Sequence, residues 1–274
     1  MNNPMEQNNK ETNIKTTIDA VTGLVQAVPV YQDTLQPAAK EVGKSLAIVA
    51  KTVNIALAPV KAIVWGYEQI EEYVTNRVSE KLRNIPNKNI TTPPLQVAGP
   101  TIEALRYVGH DPNLRELYAN LLANAMDKDT IHKAHPGFVE ILKNLSSDEA
   151  NLLKAFVTSY RFPLIDLIST EKNSSYYRII TTNFSHLDHY VSIQNPDLIP
   201  SYLDNLIRLG ILEIPSGVFI AIENIYDSLE NDEKLNAEKE YINNVLDGIV
   251  SFERKQIRTT TFGQQFIQNV VTDK

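Results

Sequence analysis

Residues 127–149, DKDTIHKAHPGFVEILKNLSSDE, hold side chains whose types and spacing could support chemistry. His132 and His135 stand three residues apart, and several carboxylates surround them. Imidazole and carboxylate groups bind metal ions, and they are also common general acids and bases. The segment could therefore be a metal or acid–base site, or it could contain the boundaries of two helices.

Helix boundaries account for most of these polar residues. His135-Pro136 predicts the start of a helix, with His135 as its cap and Pro136 in the first position, where no N–H is needed. Ser146 and Glu149 have the spacing of a capping box, in which each residue's side chain bonds the other's backbone N–H. A defined ligand spacing such as His-Glu-x-x-His is absent from the sequence, so we predict no metal ion and no cofactor.

A polar face on the preceding helix is the second candidate for catalysis. Glu116, Asn120, Asn124 and Asp127 follow at steps of four, four and three residues, which places them on one side of a helix. Glu116 and Asp127 are then about 16 Å apart along the axis, too far to act on one bond. The pattern favours a solvated or interhelical polar face, and we assign no catalytic residue.

The composition limits the classes of protein to which the chain can belong. The 274 residues contain no cysteine, which excludes disulfides, thiolate catalysis, zinc ribbons and iron–sulfur clusters. The polar N-terminus lacks the apolar core of a signal peptide, and we expect residues 1–13 to be disordered. The sequence holds no run of about 18 uncharged apolar residues, so a constitutive transmembrane helix is not expected. These features fit a cytoplasmic protein.

Residues 14–90 are predicted to form an N-terminal helical module. Apolar residues alternate at steps of four and three through 14–28 and 35–60, and a third helix is predicted near 60–84. Small residues four apart on the second helix allow close helix packing, in a soluble bundle or in a bilayer. Lysines and a tryptophan nearby could lie at the inner-membrane surface. The residues of this face are Ala39, Gly43, Lys44, Ala47, Lys51 and Trp65.

A linker and a central helical block are predicted at residues 91–145. The stretch 86–100 contains four prolines, and we expect it to be a linker or an extended arm. Asp111-Pro112 then predicts the start of the helix that carries the polar face. Aspartate is a good helix cap, and proline fits the first helical position.

Residues 146–274 are predicted to form a winged-helix-like α+β domain, so the whole chain is expected to be mainly α. Short strands alternate with helices here, and a β ribbon precedes a closing helix. The predicted order is β segments 162–170 and 176–184, helix 197–210 ended by Gly210, strand 211–214, an acidic helical insertion at 223–247, strand 252–260 and helix 261–271.

The formal net charge of −7 lies entirely in residues 146–274, which hold 11 basic and 18 acidic side chains. Duplex binding depends on lysine and arginine that neutralise phosphates, and an acidic domain repels the polyanion. Arg254, Lys255 and Arg258 form the basic cluster of the predicted ribbon, a small footprint for DNA. The charge disfavours nucleic acid and favours a protein partner or self-association.

The order of five sequence motifs resembles a bacterial family, the abortive infection alpha family. The motifs are AVTGLVQAVPVYQDTLQPAAKEVGKSL (20–46), LRELYANLLANAMD (114–127), AHPGFVEILKNLSSDEANLLK (134–154), LIPSYLDNLIRLGILEIP (198–215) and IRTTTFGQQFIQNV (257–270). The resemblance implies defence against bacteriophage in which the infected cell stops growing or dies, and it supplies no catalytic residues. Candidate interaction residues at or beside these motif positions are Arg115, Glu116, Tyr118, Asn120, Asn124, Asp127 and His135.

We therefore predict a non-enzymatic phage-defence protein that acts through a protein partner or its own oligomer, with N-terminal helices that oligomerise or enter the inner membrane. Two alternatives stay open. A soluble, nuclease-like enzyme would use the neighbourhood of Glu116, Asp127 and His135. A winged-helix regulator would bind duplex DNA, with a steep dependence of affinity on salt.

Overall fold

A computed structural model of the chain describes residues 50–51 and 67–274. Residues 50 and 51 are helical, inside the helix predicted at 35–60. The predictions for the tail at 1–13, for the helix at 14–28 and for most of 35–66 lie outside the described residues. The domain boundaries given above stay predictions.

Five helices form an α-helical block, and one of them, α3, lies at its centre. The helices are α1 (Tyr67–Lys81), α2 (Leu95–Val108), α3 (Pro112–Ala125), α4 (Gly137–Lys143) and α5 (Ser147–Thr158). The four other helices all pack against α3, and so does the C-terminal end of the described chain. Ten of the 14 residues of α3 are buried, which explains why its sequence combines apolar side chains with uncharged amides.

Helix α2 corrects the prediction that residues 86–100 form a linker or an extended arm. A 3₁₀ turn at Asn87–Asn89 is followed by a short extended stretch, and the helix begins at Leu95. Pro100 lies inside α2, where it removes one backbone hydrogen bond. The helix persists because its apolar stripe, with Val97, Ile102 and Leu105, is fully buried.

Two of the three predicted helix starts, at Asp111 and Ser146, are confirmed by their capping geometry. The Asp111 carboxylate accepts hydrogen bonds from the backbone N–H groups of Asn113 and Leu114, with Pro112 in the first turn. Ser146 and Glu149 form the capping box of α5. The third start differs by one residue from its prediction, because α4 begins at Gly137 with Pro136 as its cap, while the His135 ring accepts from Gly137 N–H at 3.0 Å.

The C-terminal part contains a four-stranded antiparallel sheet in the order β2-β1-β4-β3. The strands are β1 (Arg161–Glu171), β2 (Tyr177–Phe184), β3 (Leu212–Glu213) and β4 (Gly248–Thr259). All four strands were expected from the sequence, although β4 begins at Gly248, four residues before the predicted start at residue 252. The chain is thus mainly α with an α+β portion.

Short helices complete the sheet region. Helix α6 (Ile199–Arg208) is followed by Gly210, whose φ of +74° and backbone bonds form the αL stop that the sequence predicts. The acidic insertion is helical, with α7 (Asp227–Glu230) and α8 (Asn236–Asn244). Its side chains Tyr226, Leu229 and Leu235 join Ile165 and Ile220 in a small second core. The closing helix α9 (Thr261–Phe266) continues as a π-helical turn, Ile267–Val271.

Candidate functional site

The polar face of α3 is interhelical, and Glu116 is its first member. The Glu116 carboxylate accepts from Arg77 Nε at 3.0 Å and Nη2 at 2.7 Å, and it lies 2.6 Å from the buried Lys81 ammonium. Tyr73 adds a hydroxyl donor at 3.2 Å. Burial alone would raise the pKa of Glu116, but the hydrogen bonds from Arg77 and Lys81 outweigh it and lower the pKa to about 2. Glu116 is therefore an ionised structural anion.

The two asparagines of the face hold the C-terminal segment of the chain. Asn120 donates its amide N–H to the Val270 carbonyl oxygen at 2.9 Å, and Asn124 donates to Asn269 O at 2.9 Å. Both asparagine side chains are buried. The carbonyls of the π-helical turn are thus bound by side chains of α3, which supplies partners for backbone groups in an irregular helix.

Asp127 closes the face at the C-terminal end of α3. Lys274 Nζ donates to Asp127 Oδ2 at 2.8 Å, to Asn124 Oδ1 at 3.0 Å and to Thr130 Oγ1 at 2.9 Å. Burial pushes the pKa of Asp127 up, but the bond from Lys274 and the backbone N–H of Asp129 leave the pKa below its usual value. At the other end, Lys81 also pairs with Asp273. One continuous polar seam therefore fastens residues 269–274 to α1 and α3.

Tyr118 and Arg115 have different surroundings from this seam. Tyr118 is fully buried in the main core, and burial raises the pKa of its phenol. Arg115 lies over the ring of Tyr73 at 5.0 Å and donates to Gly109 O at 3.3 Å. Tyr118 is a core residue, whereas Arg115 borders a cleft.

The two histidines of the segment 127–149 have separate surroundings. His135 accepts from Gly137 N–H just before α4, and its ring contacts the rings of Phe138 and Phe262 at centroid distances of 5.8 Å and 5.6 Å. His132 is exposed in a 3₁₀ turn. Within residues 50–51 and 67–274, no three His, Asp or Glu side chains are grouped so that they could hold a metal ion.

The geometry does not assemble Glu116, Asp127 and His135 into an acid–base site. Glu116 binds Arg77 and Lys81, Asp127 binds Lys274, and His135 contacts its own helix start and Phe262. Each group is committed to a different set of neighbours. Two of the three are carboxylates held ionised by cations, which suits structural ion pairs better than proton transfer.

The basic cluster of the ribbon is neutralised by carboxylates. Arg254 binds Glu230 at 2.5 Å, Lys255 lies 2.5 Å from Asp166, and Arg258 binds Glu213 at 2.8 Å. Each of the three cations therefore has an acidic partner within the same part of the fold. The pairing reduces the positive charge that this ribbon offers to a phosphate backbone.

The candidate membrane or oligomer face falls almost wholly outside the described residues. Lys51 is exposed on a helix, and the other members of this face lie outside the described residues, namely Ala39, Gly43, Lys44, Ala47 and Trp65. In the part of the chain that the structure covers, none of the helices has the length and apolar character that a bilayer crossing requires.

The cleft beside Arg115 was not expected from the sequence. It lies between α1, α2 and the start of α3, and it is lined in part by Tyr73, Arg106, His110 and Arg115. The sequence signal was present, since Arg106 and His110 are four residues apart and Arg115 follows on the next helix. It could not be recognised because only the packing of α1 on α2 brings these residues together.

These features define the class of the protein: it is α-rich, it has a small antiparallel sheet, and its most polar motif is a structural seam. The chain belongs to the abortive infection alpha family, because the model of that family matches residues 66–270. This result confirms the resemblance that the sequence motifs carry.

Two further comparisons add no functional information. A comparison with curated proteins found no match. Among solved structures, an uncharacterised protein from the hydrocarbon-degrading marine bacterium Alcanivorax borkumensis SK2 is 24% identical, with a TM-score of 0.36, over 50% of this chain and 93% of that one. At this level of similarity it supports no statement about the fold.

Proposed function

We propose that the protein is a non-enzymatic, abortive-infection-type defence protein that acts through protein contacts. The abortive infection alpha family supports the defence role. The observation that carries the non-enzymatic part is the polar seam on α3. The candidate acidic groups there already form ion pairs. Glu116 pairs with Arg77 and Lys81, and Asp127 pairs with Lys274.

An exposed apolar row on the sheet supports self-association as the form of protein contact. Tyr177 and Ile249 both stand opposite Thr170, and Ile179 stands opposite Ile168, so these side chains share one face. Tyr177, Ile179 and Ile249 are each about half exposed. Exposed apolar groups in a contiguous row are typical of interaction surfaces.

A second copy of the chain is the partner that this row suits best. Strand β2 is the first strand in the sheet order, so one of its edges has no partner strand within the described sheet. An identical antiparallel edge would pair its backbone groups and place Tyr177 and Ile179 of the two copies side by side on one face of a continuous sheet, in a two-fold dimer. The winged-helix assignment and an association of the N-terminal helices with the inner membrane remain parts of this proposal.

The mass of the protein in solution tests this proposal. We expect light scattering to give the mass of a dimer for the wild type and of a monomer for Ile179→Lys, because the new ammonium groups of the two copies would lie close together across the paired edges and repel each other. Leu95→Lys is the matched control, since Leu95 is an exposed apolar residue as well, at 66% against 46% for Ile179, but lies on α2. The control should remain a dimer.

Phage challenge of cells that express each variant connects this contact to defence. Cells with Ile179→Lys should lose resistance, and cells with Leu95→Lys should keep it. A wild type that is monomeric at concentrations where cells are protected would contradict self-association. Full resistance with the monomeric variant would do so as well.

A further inference from the structure

A surface cleft of about 420 Å³ lies between α1 and α2, beside the first turn of α3. Its walls carry both apolar and cationic groups. The described residues that line it are Gln69, Ile70, Tyr73, Leu105, Arg106, Gly109, His110 and Arg115. None of these lining residues is acidic, although the protein as a whole has a net charge of −7.

The two arginines of the cleft are not neutralised. In the described part of the chain, neither Arg106 nor Arg115 forms an ion pair, in contrast to Arg77, Arg254 and Arg258. Arg115 is held in place over the Tyr73 ring and by a long bond to Gly109 O. A guanidinium has five N–H donors, so most of those on Arg115 remain for a ligand.

Arg106 provides a second, independent sign of a missing acceptor. Its Nε is buried, and within the described residues it has no hydrogen-bond partner. Arg106 also lies 5.6 Å from the ring of Tyr107, which restrains its position. A buried donor without an acceptor is unfavourable, so the Arg106 guanidinium at the cleft has an unmet requirement for an acceptor.

We propose that this cleft is a binding site for a phosphomonoester. The planar donor fork of arginine matches the oxygens of a phosphate, and two such forks next to His110 form a cationic end. Ile70, Leu105 and the exposed part of Tyr73 form an apolar wall for a small organic body. The ligand chemistry is therefore a phosphate on an apolar or aromatic group, carried either by a soluble small molecule or by a lipid headgroup.

Calorimetric titration of the full chain with phenyl phosphate tests the site. We expect saturable binding, weaker binding of inorganic phosphate because it lacks the apolar body, and no binding of phenol. Arg106→Gln and Arg115→Gln should each weaken phenyl phosphate by about tenfold, whereas Arg115→Lys should lose less because the charge remains. Arg83→Gln is the matched control, since Arg83 is exposed and lies outside the cleft. Circular dichroism confirms that each variant is folded.

Vesicle flotation separates the two sources of the phosphate. Binding of phenyl phosphate that the two glutamine variants weaken, without flotation on vesicles that contain phosphatidic acid, supports the site and assigns it to soluble esters. Flotation only on vesicles that contain phosphatidic acid, lost in the same two variants, supports the site with a lipid headgroup as its ligand. The proposal is overturned if neither probe binds at about 5 mM, or if Arg83→Gln weakens binding as much as the two cleft variants do.

Discussion

At the scale of single residues, Glu116 determines how the polar face of α3 should respond to mutation and pH. Its pKa of about 2 in the folded state lies below the ordinary value of 4.5. Glu116→Gln should therefore lower the free energy of unfolding at pH 7 by about 2 kcal/mol, a figure reduced for the partial exposure of the carboxylate. Urea denaturation followed by circular dichroism measures this difference.

The pH dependence of the same variant follows from the sign of the shift. A carboxylate with a lowered folded-state pKa stabilises the protein fully above about pH 4.5 and loses that contribution as the pH falls toward about 2. The stability gap between wild type and Glu116→Gln should close over that range. Glu140→Gln is the control, because Glu140 forms an exposed pair with Lys143 and should change stability by under about 1 kcal/mol. A gap that stays constant with pH would contradict the ion-pair explanation.

At the scale of elements, Gly263 fixes the contact between α9 and the segment that leads into β3. A Cβ at this position would overlap the carbonyl group of Ile211, a backbone atom that cannot rotate away. Gly263→Ala should therefore destabilise the fold by about 3 kcal/mol or more, through overpacking. Gly99→Ala in α2 is the control, because a Cβ there meets nothing within 4 Å.

Thermal denaturation of the two variants distinguishes packing from glycine flexibility. Gly99→Ala should raise the stability by up to about 1 kcal/mol, as expected for alanine in a helix. Gly263→Ala should lower it. If both variants lowered stability equally, the steric argument for Gly263 would be wrong.

The seam between α3 and the C-terminal segment is best tested by a double-mutant cycle. Lys274→Met should cost about 2 kcal/mol because it leaves the buried Asp127 carboxylate unpaired. Adding Asp127→Asn should recover most of that loss, since the amide oxygen can still accept from Asp129 N–H. Lys128→Met is the control, because the exposed Lys128 only donates to a backbone carbonyl. Purely additive losses would contradict the pairing.

Local sequence signals predicted the elements well, and long-range contacts explain what they missed. The caps at Asp111 and Ser146 and the stop at Gly210 are confirmed because each involves residues within a few positions. The four prolines led to the wrong prediction that residues 95–100 belong to a linker or an extended arm, because the burial that stabilises α2 comes from its contacts with other helices. The period of Glu116, Asn120 and Asn124 predicted one face, but the segment covering that face lies about 150 residues later.

At the scale of the whole molecule, stability and defence should change together for the seam residues. If Glu116 and Asp127 only hold the fold, protection against phage should follow the folded fraction of each variant and not the presence of a particular carboxylate. The double variant Asp127→Asn, Lys274→Met gives the clearest test, because it removes a candidate acid while its stability is expected to recover relative to Lys274→Met alone.

Efficiency of plating on cells that express each variant measures protection, and soluble protein levels report the folded fraction. We expect the double variant and His135→Ala to protect about as well as the wild type, and Lys274→Met alone to protect less. If the protein were a nuclease-like enzyme that uses Asp127 and His135, the double variant and His135→Ala would lose protection although they remain folded. A stable, well-expressed double variant without protection would show that the Asp127 carboxylate acts chemically, and the non-enzymatic proposal would then have to be abandoned.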